Sequence, residues 1–326
     1  MGRSLNYFSV GDVIDLYHLI RIKGLKVLFS LSITQKKGLV SKWDLFDRSV
    51  TDFWIIPVVQ KHWNYLCTGN ADLEYETYVS EKYLNGRSRL EMLSVGCGNS
   101  DHERAFSKSG CFSSITGIDV SEKQLALAKQ EAESHGCSNI VYEIGDFETE
   151  VFEPLAFDVV LFHSSLHHFK NTNKIILEKV MPILKHGGLL IIHEYTGPNR
   201  LQWTDEQLAE INTLLKKIPS NKKTWYSSRK TKKKVYSPGI LRMRLADPTE
   251  APDSESILDV LNQNFETLEE KKLGGNIIHP LLKGIAHHFC DNSPQTLSLL
   301  NSLLTADEAF VSGRKSDFTF GVYKKR

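Results

Sequence analysis

The chain is predicted to fold as an α/β protein built on a doubly wound, mostly parallel sheet, and three observations predict it. Short apolar runs recur from residue 90 onward with helix-compatible segments between them. The first of these runs leads straight into a Gly-x-Gly turn. A final alternating run closes the sequence as one further strand. Strands that recur with intervening helices need crossover connections, and crossovers cover both faces of a parallel sheet.

The elements follow in order. Residues 12–31 carry apolar side chains at 13, 16, 17 and 20, followed by Arg21, Lys23 and Lys26, the pattern of a packing or homodimer helix interrupted by Gly24. Asp12 and Asp15 on the same segment argue against a membrane-surface role. Residues 41–85 continue as helix and hold Trp43, Trp54, Trp63, Tyr65, Tyr75, Tyr78 and Tyr83, so that 1–87 form an N-terminal helical segment. The core, 88–196, contains strands at 90–95, 115–120, 141–144, 157–162 and 189–193, with helices at about 101–110, 121–135 and 172–185. Residues 197–260 bring five prolines and a basic middle and are expected to form an insertion that closes over substrate as a lid. Residues 261–326 complete the core with a strand at 265–273, helices at 279–289 and 294–311, and a strand at 317–323.

Composition narrows the class of partner. Forty Lys+Arg against 39 Asp+Glu leave +1 at neutral pH, so no global field gathers nucleic acid or an anionic membrane. Five cysteines, an odd number without a C-x-x-C pair, fit neither a disulfide framework nor a cysteine zinc site and suit a cytoplasmic protein. No apolar run approaches the ~18 residues of a membrane helix.

The chemistry starts at Leu90-Glu-Met-Leu-Ser-Val-Gly-Cys-Gly-Asn-Ser100, an apolar strand running into Gly96-x-Gly98. Glycine permits a tight turn and a close ligand approach at the carboxyl end of a first strand, where doubly wound sheets bind nucleotides. By itself the turn is equally compatible with no ligand. Asp119 ends the next strand 21 residues after Gly98, a spacing that suits an acid taking both ribose hydroxyls. Asp146 follows the third strand in Ile-Gly-Asp-Phe, a position to which an NAD reading gives no job.

With Phe157-Asp-Val-Val-Leu-Phe and Leu184-Lys-His-Gly-Gly-Leu-Leu, these features resemble a class I S-adenosylmethionine-dependent methyltransferase with a Rossmann-like core, the likeness covering roughly residues 88–195. The resemblance implies S-adenosylmethionine as cofactor and makes the last strand a terminal antiparallel one. It places the methionine part along Gly96, Cys97 and Gly98, the ribose on Asp119 and the adenine amino group on Asp146, with Val120 and Phe147 flanking the adenine ring. Asp158 would belong to fourth-strand packing. Two positions depart from the family pattern: Ser94 stands where an acid is common, and Ser100 where a third glycine is. Glu91, Glu103 or the carbonyl of His163 would then share the work of holding the cofactor ammonium, and Ser94, His163 and Tyr78 complete the expected cofactor set. Segments 194–203, 246–251 and 279–289 resemble a bacterial subgroup linked to glycan or secondary-metabolite pathways, which implies a natural-product or sugar-like acceptor.

The fourth strand empties into His163-Ser-Ser-Leu-His167-His168-Phe. In such a fold this loop lies beside the sulfonium, and a neutral imidazole there can accept a proton from a hydroxyl. His167 is therefore the expected base and Glu194 and Tyr195, at the end of the fifth strand, its competitors; the bland alternative has the histidines capping or packing. His168, Arg200, Trp203, Trp225 and Tyr226 are expected on the acceptor, while Trp63, Tyr75 and Tyr78 help to close the site. Nine basic residues between Lys216 and Tyr236 either neutralise an anionic acceptor or form a solvated loop. No zinc-ligand spacing involves His279, His287 or His288, and no metal is expected. The function expected is methyl transfer to a small molecule, at oxygen; an NAD-type oxidoreductase and a non-catalytic partner subunit are the alternatives.

Overall fold

A computed structural model describes residues 6–14, 17, 52–226, 228 and 230–326. Most of the helix expected at 12–31, together with Trp43 and Arg229, lies outside the described residues. Residues 10–14 are helical, and Asp12 there accepts from the backbone of Gly239 and from Arg242, tying this start to the insertion.

Seven strands form one sheet in the order β3-β2-β1-β4-β5-β7-β6. They are β1 (Leu90–Val95), β2 (Phe112–Asp119), β3 (Ile140–Ile144), β4 (Phe157–His163), β5 (Leu184–Tyr195), β6 (Phe265–Gly274) and β7 (Phe318–Lys325). β1 to β5 run parallel, and β7 is antiparallel to both β5 and β6. β1 and β4 are almost wholly buried, as continuous apolar strands covered on two faces must be, whereas edge strand β3 leaves Val141 and Ile144 exposed. The expected crossover helices appear as Asp101–Ser107, Glu122–Ser134 and a run from Thr172 to Ile183 with a π turn at Ile175–Val180. Strand order reverses between β1 and β4, so the crevice at their carboxyl ends is where this topology binds ligands.

The aromatic N-terminal segment supplies Phe53–Ile55, Pro57–Thr68 and Tyr75–Tyr83, packed over the carboxyl end of β5 and the adjoining amino end of β7 through Phe53, Trp54 and Trp63 around Phe318. The segment expected as a lid contains the helices Asp205–Lys217, Ile240–Ala246 and Ile257–Asn264. Its basic stretch is not simply a solvated loop. Lys232 is 3% exposed and its ammonium donates to the carbonyls of Pro280, Leu281 and Lys283, a cation on a helix carboxyl end. Lys222 likewise meets the His288 carbonyl and Asp291, and Lys223 the Leu215 carbonyl. These lysines hold the fold together and are not gathered on an acceptor. No helix of the described residues is long and apolar enough to cross a membrane.

Behind the site, Asp307 of helix Pro294–Val311 accepts from the backbone N–H groups of Gly275, Ile277 and Ile278, fixing the turn that carries His279. Burial pushes its carboxyl up to about 6, against those three donors. A carboxyl raised above 3.8 on folding binds its proton more tightly in the folded chain. Its stabilisation is therefore complete below about pH 4 and is lost as pH rises through 6. Urea unfolding of wild type and Asp307→Asn from pH 4 to 7 is expected to show the stability difference moving by about 3 kcal/mol in the variant's favour. A pH-independent difference would contradict this.

Candidate active site

The glycine turn forms because the backbone leaves the usual region three times: Gly96, Gly98 and Ser100 have φ of 70°, 52° and 63°. Ser100 thus keeps the left-handed backbone that a third glycine would adopt, and its hydroxyl accepts from Tyr142. Gly96 is also needed for space, since a Cβ there would lie 2.7 Å from Cβ of Ser165. Ser165 donates its hydroxyl to the Val95 carbonyl, so the loop after β4 closes directly on the turn after β1. Gly117 on β2 leaves room for the Cys97 side chain. Burial pushes the Cys97 thiol well up, which disfavours the thiolate that a nucleophile needs.

Asp119 ends β2 with one oxygen accepting from Gly98 N–H at 2.9 Å and the other from Ser121 N–H at 2.8 Å. Each carboxylate oxygen can accept more than one hydrogen bond, so the ribose hydroxyls retain acceptors there. Asp146 follows β3, half-buried, and caps the Glu148 N–H. Val120 is half-buried at the same edge. Phe147 packs its ring against Phe152, Phe162 and Phe169 at 3% exposure; its side chain belongs to the core and does not flank an adenine.

Ser94 is buried and donates to Glu103, whose other oxygen is buried without a hydrogen-bond partner among the described residues. Glu103 is the acid under the glycine turn. Glu91 is not, because its carboxylate accepts from Ser113 at the opposite end of the sheet, where Arg87 and Lys185 also hold Asp158. Tyr78 is corrected too: its hydroxyl donates to Glu269 of β6, at the far sheet edge.

On the acceptor side, Glu194 ends β5 fully buried. One oxygen accepts from the N–H groups of Ser165 and Leu166, and the other from Nδ1 of His167 at 2.6 Å and the N–H of Tyr195 at 3.1 Å. A carboxylate so occupied orients His167; it is not a spare base. Tyr195 is not one either, since its hydroxyl donates to the Pro198 carbonyl in a buried setting. Burial opposes protonation of His167, but the carboxylates of Glu194, Glu250 and Asp247 outweigh it and hold the imidazole above its ordinary value. His168 turns Nδ1 to the Thr249 carbonyl at 3.2 Å. His163 meets the Tyr75 hydroxyl and stacks between His102 and His193.

Arg200 is no acceptor ligand: its guanidinium donates to the carbonyls of Asp247, Pro248 and Glu250 and shapes that loop. Trp225 is held by Lys232 and lies against Gly284, where a Cβ would meet its ring at 2.4 Å, while Tyr226 is exposed beside His287. Neither joins His167, whereas Trp203 reaches His279, which packs on Tyr195. The sequence analysis missed Glu250 and His279 as members of this region; the only signal was that both stand in segments resembling the bacterial subgroup. Among the described residues, four buried nitrogens here lack hydrogen-bond partners: Nε1 of Trp63 and Trp203, and Nδ1 of His193 and His279. Burial lowers both histidines to about 3, so they are neutral.

Replacing Glu194 by Ala would strand three backbone N–H groups and the His167 ring in a dry interior. The expected cost is about 3 to 5 kcal/mol by chemical denaturation. A loss below about 1 kcal/mol would show that the carboxylate does not organise the loop.

Comparison with known proteins agrees with this geometry. Residues 87–279, more than half of the chain, match a family described as a methyltransferase domain. Ubiquinone biosynthesis O-methyltransferase of Coxiella burnetii is 30% identical over 115 residues, 34% of this chain and 47% of that protein. The 27-O-demethylrifamycin SV methyltransferase of Amycolatopsis mediterranei is 27% identical over 158 residues, 46% of this chain and 57% of that one. The chain thus spans about half the length of the curated relatives it matches. Phosphoethanolamine N-methyltransferase 2 of Haemonchus contortus, crystallised with S-adenosyl-L-methionine, superposes with a TM-score of 0.52 at 15% identity over 90% of this chain and 60% of that one, a likeness of fold. With the strand order, the glycine turn and the family match in agreement, the chain belongs to the methyltransferase-domain family.

Proposed function

We propose that the chain uses S-adenosylmethionine to methylate an oxygen of a small, ring-containing molecule. The observation that carries the cofactor is Glu103, a buried acid with one unpartnered oxygen beneath the glycine turn. A buried carboxylate needs a cation or donors. S-adenosylmethionine brings an ammonium to this end of the crevice, whereas the pyrophosphate of NAD would bring like charge. Glu103 and Ser94 would hold the ammonium, Gly96 to Gly98 the methionine chain, Asp119 the ribose and Asp146 the adenine amino group. When bound, the cofactor supplies an electrophilic methyl on a sulfonium leaving group.

The chain's own residues do the rest. The rings of Phe53, Trp54, Trp63 and Phe318 exclude water above β5 and β7. The unpartnered nitrogens of Trp63, His193, Trp203 and His279 offer hydrogen bonds to an oxygen-bearing ring, since a buried polar group without a partner costs about 1 to 3 kcal/mol until one arrives. His167, oriented by Glu194, is the group that activates the acceptor hydroxyl. In-line alignment is the main contribution required, because the leaving group is already good. The two relatives described above are both named for O-methyl chemistry, which supports oxygen as the accepting atom.

Calorimetry tests the cofactor: wild type is expected to bind S-adenosylmethionine and S-adenosylhomocysteine and not NAD. Asp119→Ala and Glu103→Ala should each lose roughly 2 to 4 kcal/mol of that affinity, the worth of charge-assisted hydrogen bonds in a buried site. Tight NAD binding with no S-adenosylmethionine binding would overturn the reading. On the acceptor side, Trp203→Phe keeps the ring and removes one N–H. It is expected to raise the acceptor KM by about five- to thirtyfold, equivalent to about 1 to 2 kcal/mol, with cofactor affinity unchanged.

A further inference from the structure

His167, His168 and Glu250 each bring one ligand atom within 4.8 Å of the others, at the carboxyl ends of β4 and β5. Methyl transfer by itself does not call for such a trio. We propose that these three side chains bind one divalent first-row transition ion of the zinc or cobalt kind, on which the acceptor oxygen is held. The ion site stands on its own geometry; only the acceptor clause rests on the function proposed above.

The second observation is the orientation of the rings. Nδ1 of His167 faces Glu194 and Nδ1 of His168 faces the Thr249 carbonyl, at 2.6 and 3.2 Å. A carboxylate or carbonyl can only accept, so each neutral ring carries its proton on Nδ1 and its lone pair on Nε2. This is the arrangement by which metal-binding histidines are aimed, one nitrogen donating to a carboxylate or backbone carbonyl and the other ligating. The third ligand is equally fixed at its backbone. Arg200 donates to the carbonyls of Asp247, Pro248 and Glu250, and Asp247 caps both the N–H and the hydroxyl of Thr249.

The charges facing the trio agree. Glu194, Glu250 and Asp247 all act on His167, while Arg200 is committed to three carbonyls beside Arg244, and Lys232 and Lys283, further along, are felt at His279. Such an enclosure favours a cation. Two imidazoles and one carboxylate suit zinc, cobalt, iron or manganese, whereas calcium and magnesium prefer all-oxygen sites. Ligands about 2.1 Å from one ion stand roughly 3 to 3.5 Å apart. The separations are at most 4.8 Å, so closing onto an ion needs no more than about 1.3 to 1.8 Å, shared between rotation of the half-buried Glu250 side chain and small shifts of the two rings. With the ion bound, His167 is a ligand and not the base: an acceptor hydroxyl on the ion would release its proton to solvent more readily, so the methyl would meet an oxygen already carrying negative charge.

The test is titration of chelator-treated protein with Co²⁺, followed by visible absorption and calorimetry. Wild type is expected to take up one equivalent with ligand-field bands. His168→Ala and Glu250→Gln are each expected to weaken uptake by about 100-fold or more while keeping S-adenosylmethionine affinity. If either variant does not fold, proton NMR of the wild-type Co²⁺ protein decides: shifted ring resonances from two histidines support the site, and none overturns it. No Co²⁺ uptake by wild type, or uptake unchanged in the variants, overturns it as well. If S-adenosylmethionine binds and turnover survives chelation, the ion falls and the methyltransferase reading stands. If Co²⁺ binds at these residues and S-adenosylmethionine does not, the ion site stands and that reading falls.

Discussion

The buried carboxylate of Glu194 is the interaction on which the site depends. A charge taken out of water is tolerated only when its oxygens are filled, and here the donors are three backbone N–H groups and one imidazole. They come from the loop after β4 and from β5 itself, so satisfying one side chain fixes two strand ends against each other. The same loop sends Ser165 to the Val95 carbonyl and against Gly96, which adds the end of β1. The cofactor turn and His167 are therefore held by one continuous set of hydrogen bonds rather than by two loops free to drift.

The departures at Ser94 and Ser100 show how a family pattern survives substitution. Ser100 keeps the left-handed backbone at φ 63°, a strain of about 1 to 2 kcal/mol for a residue with a Cβ. Its hydroxyl meets Tyr142 and it opens the helix Asp101–Ser107. Ser94 has lost the strand acid but donates to Glu103 on that same helix. The negative charge remains under the turn; only the element that delivers it has changed. The serine pair is thus compatible with a working crevice, and a degenerate scaffold is not needed to explain it.

The strands and crossover helices of the core were legible because each is encoded locally: a fully covered parallel strand must be apolar along its length, and a turn that needs positive φ calls for glycine. The assignments that failed, and the basic run whose role the sequence left open, share a different feature. Tyr78, Arg200, Trp225 and the lysines near 222–232 are residue types that suit a ligand as readily as they suit the fold, and their partners lie far away in sequence. Tyr78 meets Glu269, Arg200 meets the carbonyls of 247–250, and Lys232 meets those of 280–283. A basic or aromatic run shows what a side chain could bind, not which carbonyl claims it first.

The sequence by itself determined the doubly wound sheet, a closing alternating strand, and the glycine turn with acids after the second and third strands, because these depend on side-chain periodicity and on spacing within about thirty residues, the length of a βαβ unit. Tertiary structure alone decided that Glu194 orients His167 instead of competing with it, that Glu103 and not Glu91 lies beneath the turn, and that Glu250 comes to stand beside two histidines more than eighty residues earlier. Burial and hydrogen-bond capacity settle those questions: a carboxylate whose oxygens are filled positions its neighbours, and one with an oxygen left over in the dry interior is where a cation belongs.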